Sequence, residues 1–153
     1  MKPEQLLRYM SGDVFAAKLC DSLIFIGHLW DDQIDKDKIR DNQEVNTAWT
    51  MALCDIYDNP FHQAFAQEIQ PLIRNVIIHW LTANNLEHGT DEEKCMSYLL
   101  RNDLLSIIDY CIFITCGRDM TKTVLLSTEF RKEVASGFRK LFSFFLAEMQ
   151  EAT

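Results

Sequence analysis

Four side chains that could do chemistry fall close together in the stretch Gly27-His28-Leu29-Trp30-Asp31-Asp32-Gln33-Ile34-Asp35. On a helix His28, Asp31, Asp32 and Asp35 share an arc of about 100°. Asp31 and Asp35 are like charges at i, i+4, and they stand at the C-terminal end of an apolar run, where the helix dipole is already negative. Something cationic has to compensate. A divalent cation would do so, with Mg²⁺ the first candidate because clustered carboxylates and water supply the hard oxygen ligands it prefers. Lys36, Lys38 and Arg40, which follow at once, offer a plainer compensation as a mixed-charge helix end.

A second group lies further along: Tyr98, Arg101, Asn102, Asp103, Ser106 and Asp109. On one continuous helix Asn102, Ser106 and Asp109 fall within about 60°, a set of oxygen ligands on a single face. Arg101 beside them is suited to hold a phosphate oxygen by charge-assisted hydrogen bonds. The competing reading is local: Ser106 bonding back to its own helix, Asn102 facing water and Asp103 pairing with Arg101.

The elements that must position these groups read as helices. Five Gly and three Pro in 153 residues are too few for the turns of a sandwich or barrel. The spacing predicts a short helix over 3–10, with Pro3 in its first turn, and a second over 13–35 that is apolar nearly all round and therefore central. Gly27 within it would let a neighbour approach closely. A third helix over 44–57 has Val45, Trp49, Ala52, Leu53 and Ile56 inward and stops at Asp58-Asn59-Pro60. A fourth over 61–86 should kink at Pro71. Thr90 and Glu93 form a capping box for a fifth, over 91–116, which ends at Gly117. A sixth, over 121–149, carries Val134, Phe138, Leu141, Phe142, Phe145 and Met149 as an apolar stripe. The expectation is one domain spanning 1–153, an all-α antiparallel bundle of five or six helices.

Composition narrows the function. A formal net charge of −8 and a pI near 4.9 argue against binding the phosphate backbone of nucleic acid and favour a metal or a basic partner. No uninterrupted apolar run is long enough to span a bilayer, and Met1-Lys2-Pro3-Glu4-Gln5 lacks a signal-peptide core, so a cytoplasmic protein is expected. Cys20, Cys54, Cys95, Cys111 and Cys116 are odd in number and scattered, and read as reduced core thiols. His62, His79 and His88 have no metal-ligand spacing and are assigned to the surface or to caps. No glycine-rich phosphate loop occurs. Ten Phe suggest an apolar surplus for a homodimer face.

Trp30-Asp31-Asp32-Gln33-Ile34-Asp35 resembles the D-D-x-x-D motif of class I terpenoid (isoprenoid) synthases, and Asn102-Asp103-Leu104-Leu105-Ser106 resembles the opening of that family's N-D-L-x-S-x-x-x-E motif. The closing Glu of the second motif is Tyr110 here, with Asp109 one residue early. In an alternative alignment Tyr98-Leu99-Leu100-Arg101 resembles the family's helix that bears a diphosphate-sensing Arg. The resemblance covers residues 20–117 of a chain about half the length of a typical synthase domain. It implies an all-α bundle in which Asp31, Asp32, Asp35, Asn102, Ser106 and Asp109 hold Mg²⁺ and Arg101 binds the diphosphate of a prenyl substrate. The metals would polarise the leaving oxygen. No residue is singled out as directly catalytic.

Two other readings stand beside this one. The chain could be a non-enzymatic helical interaction protein whose acidic face binds a basic partner. It could also be an all-α nucleotide pyrophosphohydrolase, although the E-x-x-E and E-x-x-D pairs of that family are missing.

Overall fold

The computed structural model describes residues 1–36, 38–132 and 134, the side chain of Asp35 excepted. Among the described residues all regular structure is helical, and the element order is α1 (Pro3–Tyr9), α2 (Val14–Asp35), α3 (Asn42–Thr50), a π-helical turn (Met51–Asp55), α4 (Ile56–Asp58), α5 (Pro60–Ala64), α6 (Ala66–Leu86), α7 (Asp91–Arg101) and α8 (Leu104–Leu126). The all-helical expectation is met.

Local chemistry explains most helix starts. The Asp13 carboxylate accepts from the amides of Phe15 and Ala16 and so caps α2. Thr90 and Glu93 make the expected capping box on α7, and Asp41 and Glu44 make another on α3. Asn59 caps α5 through its amide oxygen, while its Nδ2 donates to the Phe15 carbonyl 44 residues away. Helix α2 ends at Lys36, whose φ of 57° turns the chain back.

The helix α2 is central. It packs against α1, α3, the π turn, α5 and α8, whereas α6 packs against α7 and α8. The core of Leu6, Met10, Leu19, Cys20, Ile107 and Ile112 lies where α1, α2 and α8 meet. Gly27 serves close approach as expected: a Cβ there would lie 3.2 Å from the Trp80 ring of α6. Helices α6 and α7 form an antiparallel hairpin, since Ala83 pairs with Ser97 and His79 with Asp103 as the chain runs back.

The structure departs from the sequence expectations in several places. The third helix contains the π turn, in which the amide of Ile56 reaches the carbonyl of Met51. Residues eight apart in an unbroken α-helix diverge by about 80°, and one extra residue in a turn removes that drift. Ala48 and Ile56 are therefore both buried, with Ala52 between them on the same side, while Trp49 and Leu53, expected inward, are 61% and 65% exposed. The fourth helix breaks at Phe65, which was not expected, and α6 runs through Pro71. The fifth divides at Asn102–Asp103 into α7 and α8. Gly117, expected to end it, is a kink with φ 76° inside α8.

A further break falls at Ser127, after which Phe130 is buried edge-on to Tyr9. Phe138, Leu141, Phe142, Phe145 and Met149 lie outside the described residues. Cys20 and Cys111 are buried thiols, but Cys54 is exposed. His62, assigned to the surface, is buried and shares a 2.8 Å hydrogen bond with Gln70. No helix among the described residues is long and apolar enough to cross a membrane.

Candidate functional site

The two aspartates at the end of α2 point to different neighbours, because successive residues on a helix differ by about 100°. Asp31 faces α7, where Arg101 Nη1 donates to its Oδ1 at 2.7 Å. The same guanidinium donates to Asn84 Oδ1 at 3.1 Å and pairs with Glu87, both at the end of α6. Asp32 faces the segment after α2, where Arg40 Nε donates to its Oδ2 at 2.5 Å. Arg40 also bonds Glu44 at 2.6 Å, tying the end of α2 to the start of α3. Arg40 holds the Glu44 carboxyl below its ordinary pKa.

The compensation required at this helix end is thus supplied by two arginines of the chain itself. Both are largely shielded from water, with Arg40 14% and Arg101 19% exposed in their side chains, so these bonds are worth more than those of exposed pairs. Among the described residues two guanidiniums and the Lys38 ammonium, 3.9 Å from Glu44, face Asp31, Asp32, Glu44 and Glu87, three cations to four carboxylates. Arg40 precedes α3, so its bond to Glu44 is not a helical i, i+4 pair, and only its nearness in sequence pointed to it. Glu87 and Asn84 carried no such signal.

The second group does not form one face, because Asn102 caps the end of α7 and Asp103 begins α8. The 60° arc needed a continuous helix. Asn102 Nδ2 donates to the Tyr98 carbonyl at 2.8 Å, and Ser106 Oγ donates to the Asp103 carbonyl at 2.6 Å, both local bonds. Asp103 accepts from His79 Nδ1 at 2.8 Å and from Asn75 Nδ2 at 3.3 Å. Asp109, in the second turn of α8, has a buried Oδ1 with no hydrogen-bond partner among the described residues, and burial pushes its pKa up to about 6. Among the described residues no three His, Cys, Asp or Glu side chains are placed to hold one metal ion. The side chain of Asp35 lies outside the described residues.

Beside this charged cluster runs an apolar cleft. Helix α2 is its floor, the α3–π–α4 arm one wall and α6 the other. It comprises a cavity of about 240 Å³ reaching Ile56, Tyr57 and Ile77 and one of about 300 Å³ reaching Ala48 and Trp49. Trp30, Ile26 and Ala52 line both. Trp30 stacks on Trp80 with ring centres 5.5 Å apart. Beyond Gly27 and Trp80 a smaller cavity of about 160 Å³ reaches His28, Arg101 and Asn102.

Comparison of the chain with known families, with characterised proteins and with solved structures returned no match. The resemblance to terpenoid synthases therefore rests on its two sequence motifs.

Proposed function

We propose that this chain is a non-enzymatic helical interaction domain that binds a basic protein partner, and that Asp31 and Asp32 lock helix ends rather than serve a metal. The observation that carries this reading is the engagement of both aspartates by Arg101 and Arg40. A metal on either aspartate would compete with the guanidinium already bonded to it. The excess negative charge of the cluster and the net charge of −8 favour a cationic partner over a bare anion.

A second reading keeps the terpenoid-synthase resemblance. The adjoining cavities give it support, because an apolar tail in the cleft would place an anionic head near Arg101 and His28. Mg²⁺ would then take Asp31 and Asp32, and the freed guanidiniums would hold the diphosphate.

Thermal melting separates the two, since a ligand that binds only the folded state raises its melting temperature. Under the proposed reading Mg²⁺ with inorganic diphosphate gives no shift. Asp31→Asn removes less than Arg101→Met, because Arg101 keeps Asn84 and Glu87, and Arg101→Met, which takes a donor from Asp31, Asn84 and Glu87 at once, removes ~1–3 kcal/mol without any ligand. In a domain of this size that is a drop of about 3–10 °C. A rise of several degrees with Mg²⁺ and diphosphate, abolished by Asp31→Asn, would sink the reading in favour of the second.

A further inference from the structure

The two walls of the cleft are joined by one short helix. The α3–π–α4 arm ends at Asp58, α5 (Pro60–Ala64) follows, and α6 starts at Ala66. Asn59 fixes one side of this joint: its Oδ1 caps α5, and its Nδ2 donates to the Phe15 carbonyl of α2 at 2.9 Å. His62 fixes the other. Its ring is 3% exposed and touches both walls. On the arm, the Tyr57 ring stands edge-on to it with centres 5.7 Å apart. On α6, Gln70 Nε2 bonds the His62 Nε2 at 2.8 Å, across the break at Phe65. Tyr57 and Gln70 both line the cavity of about 240 Å³. An amide nitrogen only donates, so the His62 Nε2 accepts and the ring is neutral.

We propose that His62 is a pH-sensitive latch for this cleft, holding Gln70 and with it the start of α6 while neutral, and releasing Gln70 when protonated. An imidazolium donates from both nitrogens and leaves no lone pair on Nε2 for the amide. The Gln70 amide must then turn over to offer its oxygen or move away, and both alter the wall of the cavity that Gln70 lines. Protonation also places a charge where burial disfavours it, which favours opening of the joint. The latch is independent of what the cleft or the acidic cluster binds.

Helix α5 packs against α2, α4 and α6. The charged residues of those elements closest in sequence to its contacts are Asp13, Lys18, Asp21, Asp58, Glu68 and Arg74. None of them shifts the titration of the ring: burial alone pushes its pKa below the ordinary histidine value. The fold therefore prefers the neutral ring. Its contribution to stability is complete above about pH 6.5, shrinks as pH falls below that, and is gone once pH lies under the folded value. Asp109 titrates in the same range with the opposite sign, so a variant has to assign the transition.

Trp30, Trp49 and Trp80, the chain's three tryptophans, line the cleft, and their emission reports its shape. The full chain is titrated from about pH 8 to about pH 5, the range over which histidine changes charge. The expected result is an emission change whose midpoint coincides with that of the His62 ring followed by NMR, while far-UV circular dichroism stays constant. His62→Phe keeps an aromatic ring beside Tyr57 and should abolish the change. Gln70→Met should leave the ring titrating and the emission flat. Should His62→Phe fail to fold, Gln70→Met decides alone. An emission change that persists in either variant overturns the proposal, as does a wild-type emission that stays flat while the ring titrates. A ring that does not titrate in this range overturns it as well. Loss of circular dichroism at the same midpoint also does so, because the whole fold then opens rather than the cleft.

Discussion

Asp109 is a carboxylate with one buried oxygen that meets no donor among the described residues, and its pKa is pushed up to about 6 by burial. An acid whose pKa is higher folded than unfolded binds its proton more tightly in the folded state, so ionisation opposes folding. The cost is full above about pH 6, shrinks as pH falls toward ~4, and is gone below. Asp109→Asn should therefore stabilise the chain at pH 7.5 by ~1–2 kcal/mol, a figure already reduced for the side chain's partial access to water. It should leave stability at pH 4 nearly unchanged. Urea unfolding at the two pH values measures this, and an equal effect at both would contradict the assignment. The sequence placed Asp109 with Asn102 and Ser106 by angular arithmetic, which held only while the helix was taken as continuous. It did show that the aspartates of α2 need a cation. Arg40, eight residues beyond Asp32, lay within reach of local reasoning, whereas the pairing of Asp31 with Arg101 spans 70 residues and has no local trace.

Helix starts were the most legible elements, because a cap is a contact between residues two or three apart. Asp13 and the Thr90–Glu93 box follow from that rule, and Asp41 with Glu44 obeys it too. The breaks at Phe65, Asn102–Asp103 and Ser127 have no glycine or proline at the break itself, and at Ser127 the hydroxyl accepts from the amide of Phe130 at 3.2 Å and caps the turn that follows. The π turn is the clearest case of hidden structure, since Met51–Asp55 reads as ordinary helix yet rotates everything after it. Deleting Leu53, which is 65% exposed, removes almost no buried surface. If the turn sets the phase of the arm, the deletion closes it to an ordinary α turn that leaves Ile56 seven residues from Ala48 and still facing the core, and it costs under ~1 kcal/mol. Leu53→Ala should cost under ~0.5 kcal/mol. Chemical denaturation of both variants gives the comparison, and a loss of ~2–4 kcal/mol on deletion, the size expected for an unburied isoleucine, would mean that the extra residue does not set the phase.

At the scale of the whole molecule, the all-helical class was legible from the scarcity of glycine and proline and from apolar spacing. The arrangement of helices around α2 was not, because it depends on which long-range contacts close. Arg101 shows what such closure means. One guanidinium joins the end of α2 to the ends of α6 and α7, and its partners lie 70, 17 and 14 residues away. Contacts that close long loops bear a large entropic cost and tend to form late, after the local α6–α7 hairpin. A late contact contributes little to the folding transition state, so its loss falls on the unfolding rate. Arg101→Met should therefore speed unfolding about tenfold for each ~1.4 kcal/mol removed and leave the folding rate nearly unchanged, which stopped-flow chevrons will read. Equal changes in both limbs would place the contact in the folding nucleus. The charged knot at the end of α2 thus governs how long a folded molecule persists before it opens, and with that its exposure to proteolysis wherever cleavage outpaces reclosing.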